Sequence, residues 1–458
     1  MDNEPRESFL KSFIKGEATF GFWNIASKAL GFLGSILVVK YTSLYEFGVY
    51  QLVLAFHGLI GSFFMKLLSA VSLNDILRFI GEKREDLAKK LFHQYAFFKI
   101  SIGVFVFASV FWGAEIIASY YDENVADFFR IVSFLFLVDA AYDVMKVVLE
   151  SRLSFSSIAS RSTIYQFLRI ILLIATIVFL GLSIKNILIV NLVASAAVTV
   201  VFLPIFLKKY KIWSSVVSSG ENVLAQIMKK HGKWGLIRPF FAGLSDNIRP
   251  WLIKIFISTE AVAIFNLANV LLSGVKSILP INTFTYLIPL RLHNKKNSQK
   301  IFSYSLKYIT IFSTALGIAS FFGAFFFVKL IIPEYAKSLP IFYIMLLSMP
   351  FSAFGSVVAS FLIALRKQKY LFFQMLFKTF FSTVACFVLV FFFGLFGLAT
   401  ETILTSVVVL SAAIFYMHKI KPGPVLEWKT IFSFNRTDTE FLRNVLSDAK
   451  KYIRKHTK

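Results

Sequence analysis

Residues 236–257 read LIRPFFAGLSDNIRPWLIKIFI. The stretch is long and apolar enough to cross a bilayer, which takes about 20 residues. Yet it carries Asp246, Asn247 and Arg249 near its middle and Lys254 one turn further on. Ionisable groups at bilayer depth cost about 2.5–3.5 kcal/mol each on insertion scales, so they face a protein interior or a water-filled path. A span with this much charge reads as the start of a second half of the molecule, and the rest of the chain can be tested against that reading.

The 458 residues are 57% hydrophobic, include 55 Phe, and are only 16% charged; mean hydropathy is +0.71. A soluble domain is nearer half apolar and about a quarter charged. The composition therefore predicts an all-α polytopic membrane protein with little sequence left for a soluble domain, because helices satisfy their own backbone groups in lipid. A net charge of +24 would suggest nucleic acid in a soluble protein. Here it fits Lys and Arg gathered in cytoplasmic loops, and no nucleic-acid partner is expected. The single Cys386 excludes an intramolecular disulfide and a multi-cysteine metal site; in its apolar run it reads as a small core residue. Residues 1–17 mix acids and bases with no cleavage site after a short apolar core, so the first apolar segment is expected to be retained as a span.

Hydropathy predicts twelve spans, near 18–38, 49–69, 96–119, 127–149, 161–182, 187–207, 236–257, 261–289, 307–331, 338–364, 371–393 and 396–417. Pro280, Pro289, Pro340 and Pro350 predict bends in the eighth and tenth. With both termini inside, the inner segments hold 35 Lys and Arg, whereas the outer loops hold only Lys40, Lys185 and Lys337. That asymmetry predicts cytoplasmic termini in a multi-pass protein with an even number of spans. The halves resemble each other. Residues 37–56 parallel 255–272, with Gly48 opposite Ala263, and residues 149–183 parallel 362–397, with Arg152 opposite Arg366. The two offsets differ by one residue, which points to a parallel repeat of two six-helix halves. The expected divisions are an N-terminal lobe (1–207), a basic cytoplasmic linker (208–235), a C-terminal lobe (236–418) and a basic tail (419–458). In that tail Thr437 to Glu440 read as a capping box ahead of an amphipathic helix.

Charges inside the spans are the candidate functional residues. Lys28 lies near the middle of the first span, roughly 15 Å from either surface and too deep to snorkel. Asp139, Asp143 and Lys146 share one face of the fourth span, and Arg161, Tyr165 and Arg169 share one face of the fifth. Asp139 and Arg169 fall at similar depth, which predicts that they pair. Asp246 and Arg249 are spaced to neutralise each other in part, and Lys276 adds a deep base in the eighth span. Lys66, Lys99, Lys329, Lys378 and Arg130 lie near span ends and are expected to snorkel. His57 reads equally as a packed histidine and as a proton carrier. Deep bases slightly outnumber deep acids, which suits an anionic substrate better than a cationic one. The alternative is that every deep charge is locked in an internal salt bridge.

No zinc spacing, P-loop, nucleophile elbow or soluble acid pair is present, so the chain reads as a transporter rather than an enzyme, without cofactors. Without a Walker motif, transport is expected to be driven by an ion gradient, of protons or sodium, or by the substrate gradient.

Short motifs spread along the chain carry a family resemblance. Lys15-Gly16 followed by Tyr45-Glu46-Phe47-Gly48-Val49-Tyr50, then Leu73 to Ile80, then Leu365 to Lys369 and Gly394 to Ala399 are similar, in order and spacing, to the bacterial polysaccharide (O-antigen type) flippases of the multidrug/oligosaccharidyl-lipid/polysaccharide exporter superfamily. Ala263-Ile264-Phe265 departs from the family's Gly-x-Tyr. The resemblance implies two six-helix lobes about a cationic cavity with alternating access. It implies an undecaprenyl-(pyro)phosphate-linked glycan moved to the outer leaflet of the bacterial inner membrane for surface polysaccharide such as lipopolysaccharide, by a monomer whose partners are membrane lipids and a glycan polymerase or glycosyltransferases. Lys28, Arg249, Lys276 and Lys254 would meet the anionic group; Asp246, Asp139, Arg169 and Asp143 are candidates for ion coupling or structural pairs. The rival readings are a multidrug cation antiporter of the same superfamily, a lipid II flippase, which has two further spans, and a non-transporting scaffold of a glycan synthesis complex.

Overall fold

The computed structural model describes residues 4–66, 68–120, 125–152, 154–217, 220–229, 243, 247–279, 295–364 and 368–419, and no strand occurs among them. The elements are α1 (Glu4–Tyr41), α2 (Leu44–Ile60), α3 (Ser69–Gly81), α4 (Glu85–Trp112), α5 (Ala114–Ser119), α6 (Ala126–Ser151), α7 (Phe155–Phe179) and α8 (Ile184–Tyr210). They continue with α9 (Arg249–Phe256), α10 (Thr259–Ser277), α11 (Lys295–Ile331), α12 (Ser338–Leu346), α13 (Met349–Ala364) and α14 (Gln368–Lys419). The basic tail and its expected amphipathic helix, Asp246, and the loop at Arg366 lie outside the described residues.

Among the described residues six helices are long and apolar enough to cross a membrane, and the pair α12–α13, bent by 43°, makes a seventh. The last of the six covers 46 residues, more than twice what one crossing needs. It is two spans: Gly394 takes φ 58° and ψ −137° and reverses the chain there. Only glycine holds that conformation without strain. The returning half runs antiparallel to the first, since Gln374 donates to the Val409 carbonyl and Ser382 Oγ to Glu401. Helices α1, α6 and α10 are less apolar because they hold Lys28, then Asp139, Asp143 and Lys146, then Asn266, Asn269 and Lys276.

Local sequence explains most boundaries. Ser43 and Glu46 form a capping box at the start of α2, and Ser183 and Ser258 cap α8 and α10 through their hydroxyls; each satisfies amides that lack a helical partner. The bend between α12 and α13 puts Pro350 in the first turn of the second helix, where its missing N–H is not needed. Within the opening stretch 236–257, residues 236–242 and 244–246 lie outside the described residues. Ile248 is a bend, and a new helix begins at Arg249 with Pro250 in its first turn, because proline cannot donate to the preceding turn.

Helix α1 packs along α7, α6 along α4 and α8, and α13 along α11 and α14, while α2 packs on α10 and α9. Thus α2 is the seam between the earlier and later helices, and small residues bring it close. A Cβ on Gly48 would sit 2.1 Å from the Thr259 carbonyl oxygen, and one on Gly58 would sit 2.2 Å from Asn247 Oδ1. Close approach of this kind, rather than hydrophobic exclusion, holds helices together in lipid.

Helix α2 ends in a π-helical turn, Gly61–Met65. Lys99, expected to snorkel, is instead wholly buried beside this turn. It donates to the Met65 carbonyl and lies 3.4 Å from Asp143. A second core forms at the basic end of the bundle, where Trp213, Val223, Leu224 and Ile227 from the stretch after α8 pack with Ile76, Leu87 and Leu91 of α3 and α4. Arg152 makes two 3.0 Å bonds to Glu85, and Trp213 Nε1 donates to the same carboxylate. That network ties the end of α6 to the start of α4.

Candidate functional site

Two polar centres lie inside the apolar bundle. The first is a cavity of about 440 Å³ between α1, α2, α6, α7 and α8, closed by Val270 of α10. Arg161, Tyr165 and Arg169 all line it, as their shared helical face predicts. Tyr50, Gln51, His57, Asp139, Gln166 and Asn191 supply further hydrogen-bonding groups, as do the hydroxyls of Ser35 and Ser195. A smaller cavity of about 230 Å³, lined by Ser62, Lys66, Tyr142 and Asp143, also touches His57 and Asp139.

The expected Asp139–Arg169 pair is not formed. Asp139 Oδ2 lies 3.2 Å from His57 Nε2, and the imidazole ring packs on Phe136 with centroids 4.7 Å apart. Arg169 is buried and donates to Asn191 Oδ1 at 2.8 Å and to the Tyr50 hydroxyl at 3.3 Å; Asn191 also donates to Tyr50, at 3.0 Å. Asp139 and Arg169 line the same cavity, but the rotation of their helices gives each a different partner. Position 191 on α8 faces 169 across the tight turn at Gly181, whose φ is 73°. Neutral amides and phenols can satisfy a buried guanidinium, and they leave no trace in a search restricted to charges. Asp143 turns to Lys99, and Lys146 to Glu150 at 3.7 Å. Arg161 stacks on Tyr142, 3.3 Å from the ring centroid.

The second centre lies among α9, α10 and α14. Glu401 has no exposed side-chain surface and accepts from Ser382 Oγ and Thr405 Oγ1, both at 2.7 Å, and from Arg249 Nη2 at 2.9 Å. Arg249 also donates to Ser382 Oγ at 3.1 Å and retains 22% of its side-chain surface. Its charge partner among the described residues is therefore Glu401. Sequence reading missed Glu401, although the signal was present: it is the lone acid in the predicted span 396–417. Lys276 is half-buried, with Lys378 and Arg249 as its electrostatic neighbours. Lys378, expected to snorkel, is exposed and adds a charge near Lys276.

Lys28 is exposed and lies one turn from Phe32, on the same face of α1. The Phe32 ring meets α10 at Gly274, where a Cβ would be 3.1 Å away. With α1 and α10 running in opposite directions, that register puts Lys28 within about one turn of Lys276 in depth. Lys276, Lys378 and Arg249 are thus electrostatic neighbours, with Lys28 at similar depth on α1, and among the described residues Glu401 is the buried carboxylate that meets them. Lys254 is half-buried, five residues beyond Arg249 and so about 140° around the helix from it. An array of amines and a partly free guanidinium, set in low dielectric, can hold a phosphate or pyrophosphate.

A family model described as "Polysaccharide biosynthesis protein" matches residues 14–290. No curated protein matches the chain. Among solved structures it is similar to an inward-facing multidrug resistance MATE family transporter of the MOP superfamily, with 13% identity over 87% of this chain and 93% of that one and a TM-score of 0.66. It is also similar to the lipid II flippase MurJ in an inward closed conformation, with 14% identity over 87% of each chain and a TM-score of 0.68. The Vibrio cholerae MATE transporter VcmN shares 12% identity over 93% of this chain and 99% of that one, at a TM-score of 0.63. At these identities the likeness is one of fold.

Proposed function

The chain belongs to the polysaccharide biosynthesis protein family, and from that premise we propose that it flips a lipid-linked oligosaccharide, carried on undecaprenyl phosphate or pyrophosphate, from the cytoplasmic to the outer leaflet. The observation that carries this reading is the basic cluster of Lys276, Lys378 and Arg249, with Lys28 within about one turn of Lys276 in depth. A membrane-embedded cluster of that sign costs several kcal/mol unless an anion completes it. In this reading residues 1–207 and 236–418 act as two lobes that alternate access around the cluster. The linker 208–235 and the tail lie in the cytoplasm, and the glycosyltransferases that build the glycan supply the substrate. The surface glycan made from it, O-antigen for example, belongs to a bacterium with this protein in its inner membrane.

The 440 Å³ cavity with Asp139 and the phenols of Tyr50 and Tyr165 favours a second reading, a multidrug cation antiporter. A direct comparison separates them. Proteoliposomes containing the chain should move a fluorescent undecaprenyl-pyrophosphate oligosaccharide between leaflets and leave ethidium efflux at the level of empty liposomes. Ethidium efflux without glycolipid movement would replace the first reading with the second.

A further inference from the structure

Arg249 is held differently from the acid it pairs with. Glu401 has no exposed surface, and its Oε1 accepts two hydroxyls, from Ser382 and Thr405. Arg249 reaches only Oε2, keeps 22% of its side chain exposed, and its buried Nε has no hydrogen-bond partner among the described residues. The carboxylate is therefore fixed, while the guanidinium has spare donors and stands beside the Lys276 ammonium and near Lys378.

We infer that Arg249 is shared between Glu401 and the phosphate of the substrate, so that anion binding draws the guanidinium away and Glu401 takes up one proton from water in its place. This rests on the reading of the basic cluster as the site of the lipid phosphate. A charged carboxylate left alone in this dry position would be strongly disfavoured. Protonated on Oε2, the same group stays neutral and still accepts both hydroxyls on Oε1, so the pocket suits either state. Among the described residues, the ionisable groups near the pair are Lys276 from α10 and Lys378 and Cys386 from the first half of α14, with Lys254 further along α9. Helices α12 and α13, packed on α14, carry Tyr343 as their one ionisable side chain. Substrate binding and protonation are then linked, and each favours the other by the same factor.

The test uses the purified full-length chain in nanodiscs and geranylgeranyl pyrophosphate as probe. Calorimetry at pH 8.5 in two buffers of different ionisation enthalpy counts the protons bound with the ligand, which is itself ionised there. The wild-type chain should take up about one proton more than Glu401→Gln. Its affinity, relative to that variant, should fall by up to about tenfold per pH unit as pH rises. Any proton gained by Lys276 on meeting the anion is common to both proteins and cancels. Glu401→Gln should bind more tightly at pH 8.5, because the amide competes less well for Arg249. Equal proton counts and equal pH slopes would overturn the sharing while leaving the anion site standing. Should the variant not fold, zero proton uptake by the wild-type chain overturns it alone. No binding of the probe by the wild-type chain at any pH would overturn the anion site and the sharing together.

Discussion

Gly48→Ala is expected to destabilise the chain by about 3 kcal/mol, at the upper end of the range for overpacking. The new methyl would lie 2.1 Å from the Thr259 carbonyl oxygen and 2.9 Å from both the Thr259 carbonyl carbon and Cγ2. Two of those three atoms are backbone, so no side chain can rotate out of the way. Relief requires α2 and α10 to separate, and this is a principal contact across the seam between the earlier and later helices. The single cysteine makes the measurement simple: Cys386 is buried, so a thiol-reactive fluorophore reports unfolding as the sample is heated. Gly81→Ala is the control, since a Cβ there meets nothing within 4 Å. It should melt with the wild type, whereas Gly48→Ala should melt several degrees lower. Equal melting of the two variants would show that the helices do not meet at Gly48.

The second large effect is asymmetric. Lys99 has no exposed side-chain surface, while Asp143 keeps 25% of its own. Breaking a buried ion pair costs about 3–5 kcal/mol because one charge is left uncompensated. Asp143→Ala leaves that charge on the group with no access to solvent, so it should be the worse of the two single changes. Lys99→Met leaves a carboxylate that can still be hydrated in part and should cost less. Lys99→Met/Asp143→Ala removes both charges and should be more stable than Asp143→Ala alone, as the melting of each variant can show. If Lys99→Met proved the more damaging single change, the assigned burial would be wrong.

Much of the fold could be read from residue type and spacing. The Phe-rich runs set the spans, Gly394 and Gly181 fall at the tight turns, and Ser43 with Glu46 marks the start of α2. The break inside 236–257 was less legible, because Pro250 can either kink a span or restart one. At the polar centres the reading was uneven. Arg161, Tyr165 and Arg169 share the predicted face, but Arg169 found Asn191 and Tyr50 rather than Asp139. A one-dimensional count gives depth to within a turn; it does not give the rotation of one helix against another. Glu401 was passed over because it stands alone on its span, with its partner Arg249 152 residues away in sequence. Lys99 was misjudged for a related reason: the π-helical turn that frees a carbonyl for it has no clear sequence signature.

The opening segment takes its final meaning from that distant partner. Arg249, not Asp246, is the residue in the stretch that the described structure ties to the rest of the site, through Glu401 on α14. The most direct measurement is the rate at which reconstituted chain flips a fluorescent undecaprenyl-pyrophosphate oligosaccharide when Lys28, Lys276 and Lys378 are replaced by alanine, singly and together. Each contact from a cation to a phosphate is worth about 1.5–3 kcal/mol. Each single variant that keeps the wild-type fold should therefore flip about tenfold more slowly or worse, and the triple variant should be indistinguishable from empty liposomes. A folded triple variant flipping at the wild-type rate would contradict the account.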